Sequence, residues 1–193
     1  MENSKRTFNR GDWFRLFLVC AFPLHLWTIL MVFRDVNWVA ERTTSWDALG
    51  FSSYALLYTL VESLLLFVFI ALLSLLVPKR WDKTLRFVIL SLIAFALAGW
   101  SIMEQLILIV LWDQLQLLGR SLTFLGSAPW TAQALFAGLV LITVAIPFLL
   151  LKKFNKLQEV VFSILERLTL LSALYIVMDM FGIVIIIIRN IQS

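Results

Sequence analysis

A chain of 193 residues that is 62% hydrophobic, with a formal charge of only +4, does not have the composition of a soluble domain. Soluble domains sit nearer half apolar, and small ones leave much of their surface in water. Lipid is the solvent this composition implies, and no stretch is long or polar enough to form a separate soluble domain, so residues 1–193 read as a single integral membrane domain. Cys20 is the only cysteine, which excludes an intrachain disulfide. One histidine and one cysteine fall short of the four nitrogen or sulfur ligands of a structural zinc site. No cofactor or metal is expected, since a bis-histidine haem would need a second histidine from a partner chain.

The first predicted span is 14–33. At ~1.5 Å per residue it covers the ~30 Å hydrocarbon core. Lys5, Arg6 and Arg10 precede it, and the charged stretch after it offers no small-residue cleavage site, which predicts an uncleaved signal anchor. An external loop, Arg34 to Gly50, follows. It mixes both charge signs with Trp38 and Trp46, and Thr44 or Ser45 is placed to cap a short helix leading into the next span. Arg34, Asp35, Glu41, Arg42 and Asp47 are its candidate contacts for a partner or a lipid headgroup, with the two arginines as phosphate ligands.

The second span is 52–77, stopped by Pro78 and a basic cluster, and the third is 87–112. Residues 114–130 are amphipathic and read as a short interfacial helix or re-entrant element. The fourth span is 131–151, and the fifth is 168–188 with a polar helical lead-in from Lys156 to Arg167. The expected fold is an all-α, polytopic transmembrane bundle of about five helices.

Basic residues set the orientation. With the N-terminus in the cytoplasm, twelve of the sixteen Lys and Arg fall inside and only Arg34, Arg42, Arg120 and Arg189 fall outside, as the positive-inside rule requires. The C-terminus is then external. Trp13 and Trp81 mark the inner edge, and Trp38, Trp46, Trp112 and Trp130 the outer edge. With its charge spent on orientation, the chain has no concentrated basic face for nucleic acid. The expected location is a cell membrane, read as a bacterial cytoplasmic membrane, and the chain is multi-pass.

His25, Glu62, Glu104 and Asp179 fall within predicted spans, where an ionisable side chain costs at least ~2.5–3.5 kcal/mol and so faces protein or water. Helical rise puts His25, Glu62 and Asp179 ~15–17 Å from an edge, near the midplane, and Glu104 nearer the outer surface. Ser172, Tyr175 and Gly182 share a face with Asp179, and Thr59 and Ser63 flank Glu62. His25, Glu62, Asp179, Glu104 and Tyr175 are therefore the candidate intramembrane polar cluster. It reads as an interhelical lock or as a proton or cation relay. Pro23 and Pro147 lie inside predicted helices and can kink them.

Catalytic signatures are lacking: there is no H-E-x-x-H, G-x-S-x-G or CxxC. The sequence favours a non-enzymatic membrane component, a subunit, scaffold or assembly partner of a larger complex. Its expected partners are the lipid bilayer and another integral membrane protein or a second copy of itself. The competing readings are a small transporter or channel subunit with a midplane relay, and an outer-face lipid-headgroup binder or enzyme.

Overall fold

A computed structural model describes residues 8–78, 80–110 and 129–192. Five helices make up almost all of them: α1 (Arg10–Arg42), α2 (Ser45–Leu73), α3 (Lys83–Val110), α4 (Pro129–Lys153) and α5 (Asn155–Gln192). Four of these, α1, α2, α3 and α5, are long and apolar enough to cross a membrane. The fourth in chain order, α4, has 25 residues and turns Leu139, Leu141, Ile142, Ile146 and Leu149 outward. Of the amphipathic segment expected over 114–130, residues 114–128 lie outside the described residues, and Pro129 and Trp130 begin α4.

Local chemistry sets the helix ends. Asn9 caps α1 through a reciprocal pair: its Oδ1 accepts from Asp12 N at 2.8 Å, and Asp12 Oδ2 accepts from Asn9 N at 2.7 Å. Thr44 caps α2, its hydroxyl oxygen accepting from Asp47 N at 3.1 Å. The expected external loop is therefore almost gone, because α1 continues to Arg42 and α2 begins at Ser45. Residues 34–42 contain no Gly or Pro to stop a helix, and the break falls where Thr44 can cap the next one. Likewise the polar lead-in of the fifth span is simply the first part of α5, which runs unbroken for 38 residues.

The packing is inverted relative to a soluble protein. Buried side chains include His25, Ser53, Thr59, Ser63, Ser91, Ser172 and Asp179, whereas Tyr58, Leu65, Leu72, Leu170, Leu174, Phe181 and Ile191 stand exposed. An apolar exterior over a polar interior is stable only where the solvent is itself apolar. Most buried hydroxyls bond back to their own helix, as Ser53 does to Leu49 O and Ser172 to Leu168 O, so little polar valence is left open inside.

α1 is the hub, packed against α2, α5 and α3, while α4 packs on α3 and α5. At the end where α1 begins, an apolar core of Leu16, Val19, Ile70, Val88, Leu90 and Leu165 is bordered by edge-to-face aromatics: Phe8 on Trp13 at 5.2 Å and Phe87 on Phe162 at 5.6 Å. Charges ring that end, with Lys83 on Asp12 at 2.7 Å and Arg15 on Glu166 at 3.1 Å.

At the opposite end, Arg189 near the end of α5 reaches the start of α2. It donates to Trp46 O at 2.6 Å and to Asp47 Oδ1 at 2.8 Å. Gly50 provides the slot, since a Cβ there would lie 2.6–2.8 Å from the guanidinium atoms. Gly50→Ala should therefore displace Arg189. The expected result is a small drop in the thermal midpoint in detergent that does not add to the drop caused by Arg189→Met. Additive drops would show that the slot and the latch are unrelated.

Candidate functional site

Two of the mid-span ionisable residues meet. His25 on α1 and Asp179 on α5 are both fully buried, with Nε2 and Oδ2 2.9 Å apart. The other ring nitrogen, Nδ1, lies 2.9 Å from Ala21 O, one turn back along α1. A carbonyl only accepts, so Nδ1 carries a hydrogen, and one further proton is shared between Nε2 and Oδ2. Whichever atom holds that proton, the unit as a whole is uncharged. Asp179 Oδ1 has no hydrogen-bond partner among the described residues.

The surroundings hold the ring in place. Tyr175, one turn before Asp179, stacks on His25 with centroids 5.8 Å apart and planes within 10°. Phe22, three residues before His25 and on the same face of α1, also stacks on Tyr175, at 6.2 Å. The carbonyl that Pro23 leaves without its helical donor is that of Val19, four residues back. The imidazole uses Ala21 instead, so the proline does not supply the histidine's partner.

Ser63 on α2 completes a serine, histidine and aspartate grouping that sequence spacing gives no hint of: its Oγ lies 3.5 Å from His25 Nδ1. The arrangement is not set up for nucleophilic catalysis. Nδ1 donates to Ala21 O and cannot accept the serine proton, and Ser63 Oγ donates to Thr59 O at 2.7 Å. Ser63, His25 and Asp179 are also all at most 1% exposed, so no substrate reaches them.

Glu62 goes elsewhere. Although it precedes Ser63 and shares the depth of His25, it is exposed and lines a cleft of about 510 Å³ among α1, α2 and α3. Trp27, Thr28, Tyr58, Ser101 and Gln105 are among its neighbours in that cleft. Two polar contacts cross it: Trp27 Nε1 donates to Gln105 Oε1 at 2.6 Å, and the Thr28 and Thr59 hydroxyls are 2.6 Å apart. Thr59 donates to Ala55 O at 3.0 Å, so Thr28 is the donor to Thr59. Glu62 has no hydrogen bond or ion pair among the described residues. Glu104 is exposed and outside the cleft lining.

The outer candidates are mostly engaged with one another. Arg34 clasps Asp35 through two bonds of 2.7 and 2.9 Å, and the Arg42 guanidinium lies 4.1 Å above the Trp38 ring. Asp47 accepts from Thr44 Oγ1 at 2.7 Å as well as from Arg189. Glu41 stands exposed on the last turn of α1. Sequence reasoning passed over Arg189 because its partners lie 142 and 143 residues away and nothing local marks them.

No family model, curated protein or solved structure matches this chain. The fold defines a class, a helical membrane protein with a polar interior, and any more specific reading must come from the chemistry of its own residues.

Removing one member of the buried pair should be costly while replacing both should be milder. Asp179→Leu leaves Nε2 unsatisfied and should destabilise by ~2–3 kcal/mol, whereas His25→Leu with Asp179→Leu should cost clearly less. Asp179→Asn should stay within ~1 kcal/mol of the parent, because an amide offers both a donor and an acceptor to Nε2. Reversible unfolding in mixed micelles measures all three, and equal losses for the Leu and Asn variants would contradict this assignment.

Proposed function

We propose that this chain is a non-enzymatic, multi-pass component of a larger membrane complex, a subunit or assembly partner in a cell membrane, with its N-terminus in the cytoplasm. Glu62 supports this reading above all else: a mid-span acid, exposed on a cleft and without a partner among the described residues. An acid at that depth is normally met by protein or water. A second integral membrane protein, or a second copy of this chain, that sets a basic or hydrogen-bonding side chain against Glu62 would meet that need. The His25–Asp179 unit, closed and uncharged as a whole, presents no reactive group to a substrate.

Tyr58 and Ser101 are both exposed and both line the cleft, so a photo-crosslinking side chain at either position samples its occupant. The expected result in native membranes is a discrete protein adduct heavier than the 22.2 kDa chain, reduced several-fold by Glu62→Leu. No adduct from either position, with the chain purifying as a lone monomer, would remove the reading.

A second reading, a small transporter or channel subunit, is favoured by one specific feature. The Thr28 and Thr59 hydroxyls, 2.6 Å apart at the cleft, lie one turn of α2 from Ser63, whose Oγ is 3.5 Å from the imidazole. In this reading the His25–Asp179 pair passes protons. Asp179→Asn, which keeps the hydrogen bond but loses the acid, should then abolish pH-dependent flux in proteoliposomes while the protein stays folded. Unchanged flux would exclude the relay.

A further inference from the structure

A second cavity lies on the other side of α3. It has a volume of about 410 Å³ and is bounded by α3, α4 and α5, and all eleven side chains that line it are apolar, among them Leu92, Pro147, Leu150, Leu157, Val161 and Leu168. That volume lies within the ~300–1,000 Å³ of ordinary small-molecule sites. On α3 and α4 the lining, Val88 to Phe95 and Pro147 to Leu151, falls at the inner ends of the expected spans 87–112 and 131–151, and on α5 it runs from Leu157 in the lead-in to Leu168 at the start of the span, a rise of ~16 Å.

Its mouth is basic. Leu150 and Leu151 of the lining are followed directly by Lys152 and Lys153, and Leu157 is preceded by Lys156. All three lysines are exposed, and none has an ion pair among the described residues. Lys153 Nζ lies over the Phe154 ring at 5.6 Å. Glu159 is the nearby acid on α5, also exposed. The turn that presents the lysines is tight, with Gln158 Nε2 donating back to Leu151 O at 2.7 Å. Lysines at a helix end serve orientation without any cavity. An apolar slot beside them at the inner ends of α3 and α4 is a separate feature.

We infer that this slot holds an acyl chain of an anionic glycerophospholipid whose phosphate group rests on Lys152, Lys153 and Lys156. The apolar lining supplies the site for the chain, and the lysines supply charge complementarity for the headgroup. The inference does not depend on the reading of Glu62, which lies on the other cavity.

The test is native mass spectrometry of the full chain, delipidated in mild detergent and offered equimolar phosphatidylglycerol and phosphatidylcholine of matched acyl chains. The parent protein should retain phosphatidylglycerol at least several-fold over phosphatidylcholine. Lys152→Gln with Lys153→Gln and Lys156→Gln should abolish that preference while leaving weak, headgroup-independent binding. Val161→Trp, which fills the slot, should remove binding of both lipids. Leu157→Trp at the mouth provides a second obstruction should the first variant misfold, with circular dichroism reporting the fold of each. Equal retention of the two lipids by the parent, a preference that survives the triple Gln variant, or full binding in a folded Trp variant would overturn the assignment.

Discussion

His25 and Asp179 each bring into the middle of the bundle a group that lipid does not tolerate alone. On insertion scales a charged residue at the bilayer centre costs ~2.5–3.5 kcal/mol, and water is not there to lower that cost. Held 2.9 Å apart and sharing a proton, the two make one uncharged unit. An interhelical hydrogen bond in a membrane contributes only ~0.6–2 kcal/mol, so the pair matters less as adhesive than as a constraint. It admits one rotation of α1 against α5, since turning either helix by one residue carries a polar head ~100° away from its partner.

Once that rotation is set, the neighbouring contacts fall into place. Tyr175 is held over the imidazole, and Thr28 is brought to Thr59 on α2. The middle of the bundle is therefore specified by polar groups, while its two ends are specified differently. Aromatic edges and branched aliphatic side chains close the end where α1 begins. At the far end, Arg189 is inserted over Gly50 to join α5 to α2. This division suits a solvent that gives helices no hydrophobic reason to associate. Close packing and hydrogen bonds must do that work, and hydrogen bonds are strongest where water is scarce.

Depth was legible in the sequence and azimuth was not. Counting 1.5 Å per residue puts His25 and Asp179 at one level, and in the structure they touch. The same count puts Glu62 there too, yet it lies one residue from Ser63, and Ser63 is the one that faces the histidine. Which side of α2 turns inward depends on what α1 and α5 offer, and that is not written in the residues around Glu62. The polar residues around Glu62 serve two surfaces: Thr59 and Ser63 are buried, while Tyr58 stands exposed on the cleft. The charged stretch from Arg34 to Asp47 misled in another way. Its polarity reads as a loop, but polarity without Gly or Pro does not end a helix, and a two-residue break at Thr43 and Thr44 is all the chain uses.

The two cavities share α3 as a wall but differ in chemistry. The cleft carries aromatics, hydroxyls and Glu62, an acid without a partner among the described residues, and the slot is lined wholly by apolar side chains with lysines adjoining it in sequence. Both open on the flank of the bundle, as their exposed lining residues Tyr58, Glu62 and Ser101 on one side and Leu150, Leu157 and Ile164 on the other indicate. Flank openings face other membrane constituents, whereas the buried pair faces only protein. The two proposed recognition surfaces therefore lie on either side of α3, while the ionisable pair that fixes the rotation of α1 against α5 is closed off between those helices. On the proposed reading, partners are met in the plane of the membrane. That geometry suits a component of an assembly and its bound lipids better than it suits a reaction at the bundle centre.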